Sequence, residues 1–186
     1  LEYRRKEGLL RQLSVLDDKT DFCSNDYLGL ASDQALAAKI ADDFNALPTE
    51  YRKNGATGSR LISGHSTLIE QFEKECAAFH GSEAALLFSS GFEANIGLIS
   101  SLPQEGDVIF CDKLLHASLI DGLRLSKAER RIFKHNNVED LIHLLDQYPA
   151  ETRKWIVVES VYSMDGDTAP LMALVDLKNT YGAELI

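Results

Sequence analysis

Between residues 84 and 186, short apolar runs alternate with segments of helical period, and this alternation narrows the possible folds to a few. The runs are AALLFSS (84–90), DVIFCD (107–112), RIFKH (131–135), KWIVVES (154–160) and the closing ELI (184–186). Each has strand length and almost no internal charge. The intervening segments, GFEANIGLISSL, ASLIDGLRLS, VEDLIHLLDQY and LMALVDLKNTYGA, carry apolar residues three and four apart. Val138, Leu141, Ile142 and Leu145, for example, share one helical face. Such alternation predicts βαβ units and a mainly parallel sheet. Strands this apolar predict helices over both faces, which makes a three-layer α/β/α domain.

The first third reads differently. Residues 1–13 predict a charged helix, KTDFCS a short strand or turn, and SNDYLGLA (24–31) a turn-rich link into a helix at DQALAAKIADDFNAL. Residues 51–66 hold Gly55, Gly58 and Gly64, which predicts an irregular segment. A helix follows, with Thr67 and Glu70 spaced as a capping box and Ile69, Phe72, Cys76 and Phe79 at helical intervals. The chain starts at Leu1 and closes on a nascent strand, so it is expected to be part of a longer one.

Composition removes several classes of function. A formal net charge of −10 disfavours nucleic acid and anionic membrane surfaces as partners. No apolar run approaches the ~18 residues of a membrane span, and LEYRRKEGLL lacks the apolar core of a signal peptide. The three cysteines, Cys23, Cys76 and Cys111, are widely spaced, which gives neither a zinc motif nor a disulfide framework. Reduced thiols in the cytoplasm are the expectation.

Four segments could carry chemistry. In SSGFEAN (89–95) a strand-like run ends in Ser-Ser-Gly before a helix. Free N–H groups at that helix start, on Ser90, Gly91 and Phe92, would suit a phosphate, although Ser and Gly also suit any strand–helix turn. KNGATGSRLISG (53–64) matches neither the dinucleotide fingerprint nor a P-loop and reads as a loop. His116 follows DVIFCDKLL, at the carboxyl end of a strand, where ligands gather in open α/β sheets. It fits a ring stacked on a flat ligand and a polar helix start equally well. ESVYSMDGDTAPL (159–171) clusters polar residues after a strand, and its Asp165 and Asp167 lack the spacing of a calcium loop. No nucleophile motif surrounds Cys111 or the serines, and the five histidines form no metal motif.

In order, the segments SNDYLGLA, GATGSRLISGHS, SSGFEAN, CDKLLHASLIDG, FKHNN and ESVYSMDGDTAPL resemble those of the α-oxoamine synthases, pyridoxal-phosphate enzymes of fold type I. The resemblance runs from about Arg11 to the end. It implies decarboxylative condensation of an amino acid with an acyl-CoA, with pyridoxal 5'-phosphate as cofactor. The nearest motifs are those of the biotin-pathway member, which implies L-alanine and a pimeloyl thioester as substrates. Members using glycine or serine, and non-catalytic members, are the alternatives. It further implies a homodimer with the active site between subunits. Residues 1–35 would be an N-terminal arm and substrate-side segment, and 36–186 the first part of the cofactor-binding large domain.

Site residues follow by motif. Ser90, Gly91 and Phe92 match the phosphate-side turn, and His116 matches the histidine that stacks on the pyridine ring. Glu159 and Ser163 match residues lining the cofactor pocket, with Ser163 reaching the phenolic oxygen. Asn25 matches an asparagine at the substrate end, and Arg11 an arginine that receives a substrate carboxylate. Ile69 stands where many relatives have histidine. The family's aspartate for the pyridine nitrogen and its cofactor-bearing lysine come after the position of Ile186, so the resemblance implies that this chain is not competent alone.

Overall fold

The computed structural model describes residues 2–8, 10, 20 and 22–186. It divides into two compact units, 1–70 and 71–186, each taken by itself below.

The second unit is built on a four-stranded sheet. Its strands are β1 (Val108–Asp112), β2 (Glu129–Phe133), β3 (Lys154–Val157) and β4 (Glu184–Leu185), in spatial order β2-β1-β3-β4. Every pairing is parallel, with Val108 opposite both Glu129 and Lys154. The α/β class and parallel sheet expected from the alternation are therefore present. Helix α4 (Gly91–Ser101) precedes β1, and α5 (Ala117–Leu125), α6 (Val138–Leu145) and α7 (Leu171–Tyr181) fill the crossovers. From β1 the chain steps to one side, then returns across β1 to place β3 on the other. Right-handed crossovers put α5 on one face and α6 and α7 on the opposite one. The packing agrees, since α4 lies against α5 and α6 against α7.

Burial follows position in the sheet. All residues of the central strands β1 and β3 are buried, whereas β2 buries only Phe133. Apolar composition alone predicted burial for all strands. An edge strand has one neighbour and less cover, which is why Ile132 is 56% exposed. β2 also starts two residues earlier than RIFKH suggested. The core joins Ile109, Phe110, Ile156 and Val157 of the sheet to Ile99, Leu119, Leu141 and Leu174 of the helices. Lys154 is buried at the start of β3, where its Nζ donates to the carbonyls of Pro149 (2.6 Å) and Thr152 (2.9 Å) and so closes the preceding turn.

Residues 84–88 depart from expectation. They form no regular element and pair with no strand among the described residues, and Leu86, Leu87 and Phe88 are exposed. An apolar run becomes a strand only when another backbone takes up its N–H and C=O groups. Leu86 and Phe88 instead line an open cleft of about 540 Å³ with Leu98 of α4 and its C-cap Leu102.

The α4–α5 contact depends on a glycine. A Cβ at Gly122 would lie 2.9 Å from the Ile99 Cβ and 3.2 Å from the Asn95 carbonyl oxygen. Gly122→Ala should push the helices apart and cost about 1–3 kcal/mol, read from the shift in urea midpoint. An unchanged midpoint would show that the contact yields freely.

In the first unit, α1 spans Glu2–Lys6 and gives way to a turn at Gly8, where φ is +67°; of the helix expected over 1–13, residues 1, 9 and 11–13 lie outside the described residues. The SNDYLGLA link contains a 3-10 turn at Leu30–Ser32, held by the Asp26 carboxylate accepting from Leu30 N (2.8 Å) and Ala31 N (3.2 Å). Asp33 caps α2 (Gln34–Ala46). The glycine-rich stretch holds one turn of π-helix at Arg60–Gly64. A side chain at Gly64 would collide with the Gly58 carbonyl, so the loop closes tightly on itself. Helix α3 (Thr67–His80) begins one residue earlier than the expected cap implies. Ser66 is the residue whose hydroxyl accepts from Ile69 N (3.3 Å), while Glu70 turns to His65 Nε2 (3.2 Å). Of its apolar stripe, Phe72 and Phe79 are exposed, and Ala77 is the buried residue.

Candidate active site at the sheet's switch point

Because the chain leaves β1 in one direction and returns on its other side, the carboxyl ends of β1 and β3 bound a crevice. Open α/β sheets bind ligands at such a switch point. Two of the segments singled out in the sequence reach it. His116 follows β1 and is the N-cap of α5. Glu159 follows β3, and its carboxylate accepts a hydrogen bond from the His116 backbone N–H. This bond ties the two strand ends together across the crevice.

The imidazole of His116 is held from beneath. Its Nδ1 accepts from the Ser118 backbone N–H (3.2 Å) and lies 2.7 Å from the Ser118 hydroxyl. Asn95 of α4 donates its side-chain amide to that hydroxyl at 2.9 Å. With its oxygen accepting from Asn95, the hydroxyl turns its proton to Nδ1. Both donors converge on one nitrogen, which assigns the acceptor role to Nδ1 and the ring proton to Nε2. Ser118 is fully buried, while His116 itself is exposed. His116 is thus a helix cap through Nδ1 and still presents its ring outward. The two readings left open in the sequence do not exclude each other.

Helix α4 brings its N-terminus to the same histidine. The rings of Phe92 and His116 meet edge to face with centroids 6.3 Å apart. The Ser90 hydroxyl caps the helix by accepting from Glu93 N at 3.1 Å. The N–H groups of Gly91 and Phe92, in the first turn, have no intrahelical acceptor. A Cβ built on Gly91 meets nothing within 4 Å, so the approach to these donors is open.

Ser163 is exposed in a hairpin spanning 161–168, closed by the Val161–Thr168 bridge and by the Tyr162 N–H donating to the Asp167 carbonyl (2.9 Å). Gly166, at φ +73°, allows the reversal. Tyr162 is buried, and its hydroxyl has no hydrogen-bond partner. Burial, the largest cause, and the neighbouring Asp112 carboxylate, through its charge and as the nearest acceptor, raise its pKa, so it keeps its proton.

Sequence reasoning assigned nothing to Asn95, Ser118, Asp112, His135, Asn136 or Tyr162. Only contact across elements distinguishes them, and no local pattern carries that. His135, Asp165 and Asp167 offer ligand atoms within 4.8 Å of one another. A metal needs a bare nitrogen lone pair, however, and both His135 nitrogens already face carboxylate oxygens at 2.8 Å. Burial pushes the Cys111 thiol up to about 11, which leaves it protonated and unsuited to attack. Arg11 lies outside the described residues. Asn25, in the first unit, is exposed and accepts from Tyr27 N through its backbone carbonyl (2.9 Å). That unit has its own cleft, of about 450 Å³, along the glycine-rich segment between Tyr51 and Ile69.

The chain belongs to the aminotransferase class I and II family, whose profile matches residues 17–186. Within it, the chain is 44% identical to 8-amino-7-oxononanoate synthase 2 of Bacillus subtilis strain 168, an alignment covering all of this chain and 50% of that one. Among solved structures, a Sphingomonas wittichii serine palmitoyltransferase superposes with a TM-score of 0.76 at 40% identity, covering 86% of this chain and 39% of the other. An 8-amino-7-oxononanoate synthase from Francisella tularensis gives 0.65 at 35%, covering 87% and 43%. These likenesses bear out the resemblance to α-oxoamine synthases and the fold-type-I class. The chain spans about half the length of the curated relatives it matches. Among the described residues, no helix is long and apolar enough to cross a membrane.

Proposed function

We propose that this chain carries one wall of a pyridoxal-phosphate site in an enzyme that condenses L-alanine with a pimeloyl thioester, releasing carbon dioxide and coenzyme A to form 8-amino-7-oxononanoate. One observation carries the reading: the open N-terminus of α4, the outward ring of His116 and the Glu159 carboxylate converge at the switch point. The residues present fit the cofactor. Two backbone N–H groups stand free for an anion, and an aromatic ring stands beside them.

When bound, pyridoxal phosphate supplies an electron sink for negative charge at an amino acid's α-carbon. The residues of this chain bind and orient. Gly91 and Phe92 donate backbone N–H groups to the phosphate, helped by the positive end of the helix dipole, while Ser90 holds the helix start in shape. His116 covers one face of the ring, Ser118 and Asn95 stop its imidazole from turning, and Glu159 holds its backbone. Ser163 donates its hydroxyl proton toward the phenolic oxygen. Asn25 and Arg11 are assigned to the substrate. The same reading makes the protein a cytoplasmic homodimer with its site between subunits.

The solved structures favour a second reading, condensation of serine with a long-chain acyl-CoA, since the serine palmitoyltransferase superposes better than the synthase. Pyridoxal phosphate titrated into the full-length protein should give a saturable visible absorbance. Free thiol should then appear fastest with L-alanine and pimeloyl thioester. Preference for serine and palmitoyl-CoA would replace the first reading with the second. No saturable absorbance would remove both.

A further inference from the structure

The segment FKHNN after β2 has no part in the function above, yet it forms the most heavily bonded polar cluster of the second unit. We propose that His135 is a positioning residue: as an imidazolium clamped between Asp112 and Asp167, it fastens the 161–168 hairpin, and with it Ser163, to the carboxyl ends of β1 and β2. The consequence for Ser163 rests on the functional reading above. The clamp itself does not.

The geometry is two-sided. His135 Nδ1 lies 2.8 Å from Asp112 Oδ1, and Nε2 lies 2.8 Å from Asp167 Oδ2. A carboxylate accepts and cannot donate, so each contact needs a proton on the ring nitrogen, and the ring carries both. The partners differ in freedom. The Asp112 side chain is fully buried at the end of β1, and it also accepts from Leu114 N (2.8 Å) and Asn136 N (2.9 Å). Asp167 is 41% exposed and sits in the hairpin. Asn136 completes the joint. At φ +51° it is the one non-glycine residue with positive φ among those described. Asparagine tolerates this conformation. There its amide Nδ2 donates to Asp167 Oδ2 (2.7 Å) and to the Thr168 carbonyl (3.2 Å). The Tyr162 ring packs edge-on against the His135 ring, with centroids 4.4 Å apart.

Beyond the buried Tyr162 ring, the hairpin has little else to hold it. Val161, Ser163, Met164 and Asp165 are exposed, and its own closure is three backbone bonds, from the N–H groups of Tyr162, Gly166 and Ala169. The groups facing the imidazole are Asp112 from β1, Asp165, Asp167 and Tyr162 from the hairpin, and Asn136 beside it, while Lys134 turns away to Asp140. The hydrogen bond to Asp112, the largest cause, and that to Asp167 raise the pKa of His135 above its usual 6.5 against some desolvation. A raised value means that the clamp is complete at and below the usual value and is lost as pH rises through the folded-state value. A ring with one proton can serve one carboxylate. Asp112 has two backbone donors and no room to leave, so Asp167 is the one released.

The test uses the full-length protein without added cofactor. Hydrogen exchange at Tyr162, Gly166 and Ala169, with intrinsic rates divided out, is followed across neutral and alkaline pH beside the ¹⁵N shifts of His135. Hairpin protection should fall roughly ten- to a hundredfold as the ring loses its proton, the worth of one charge-assisted hydrogen bond. Ile109 and Ile156 in the sheet should not respond. Asp167→Asn should lower the pH at which His135 titrates and leave the hairpin poorly protected at neutral pH. His135→Gln should give low protection at every pH. Should that variant fail to fold, the wild-type titration and Asp167→Asn still decide. Protection that stays flat through the titration of His135, or is unchanged in Asp167→Asn, overturns the proposal. Failure of pyridoxal phosphate to bind would sink the functional reading and leave these outcomes untouched.

Discussion

Asp112→Ala should destabilise the second unit by about 3–5 kcal/mol, the cost of removing one member of a buried ion pair. The carboxylate is fully buried and accepts from three donors on two elements: Leu114 N, Asn136 N and His135 Nδ1. Alanine strands all three and leaves the His135 cation with Asp167 alone. Asp112→Asn keeps the volume but turns an NH₂ group toward donors, so it should cost about 1–3 kcal/mol. Urea unfolding of both variants checks the order and the size. A loss under about 1 kcal/mol for alanine would mean that water replaces the carboxylate, and that Asp112 anchors neither β2 nor the hairpin.

His116→Ala should weaken pyridoxal-phosphate affinity about 5- to 150-fold, taking stacking on an aromatic side chain as worth about 1–3 kcal/mol. Its effect on folding should be near 1 kcal/mol, the usual size of a lost helix cap. Ser118→Ala separates contact from orientation. It leaves the ring in place but removes the hydroxyl between Asn95 and Nδ1. Affinity should then fall less than in His116→Ala. The ¹⁵N shifts of His116 in the cofactor-free protein should move from a single Nε2–H tautomer to a mixture, and Ser118→Thr should restore it. Equal affinities for wild type and His116→Ala would reduce the histidine to a helix cap.

These two variants mark where sequence reasoning stops. His116 was visible because it follows an apolar strand and belongs to an ordered set of motifs. Ser118 lies two residues away in ASLIDG and looks like any helix-start serine. Its meaning comes from Asn95, 23 positions earlier on another helix. Asp112 and His135 are likewise 23 apart, and Asp167 is 32 beyond His135. Local periodicity reports which face of an element is apolar; it cannot report which element lies opposite.

The elements show the same division. Helices α5, α6 and α7 fell where their periodicity put them, because an apolar stripe has to be buried wherever the helix packs; α2 also formed where expected, behind its Asp33 cap, although none of its residues is buried. The expected strand over 84–90 did not form, and the cap of α3 shifted from Thr67 to Ser66. Pairing depends on a neighbouring backbone, and capping depends on where the first N–H groups point. By itself the sequence determined the α/β class, the succession of strands and helices, and the motifs that mark a pyridoxal-phosphate family. Only the tertiary structure decided the order β2-β1-β3-β4, and with it the crevice that brings His116 to Glu159 and Asp112 to His135. Strand order is set by which crossovers pack on which face of the sheet, a free energy shared among distant residues and carried by none of them alone.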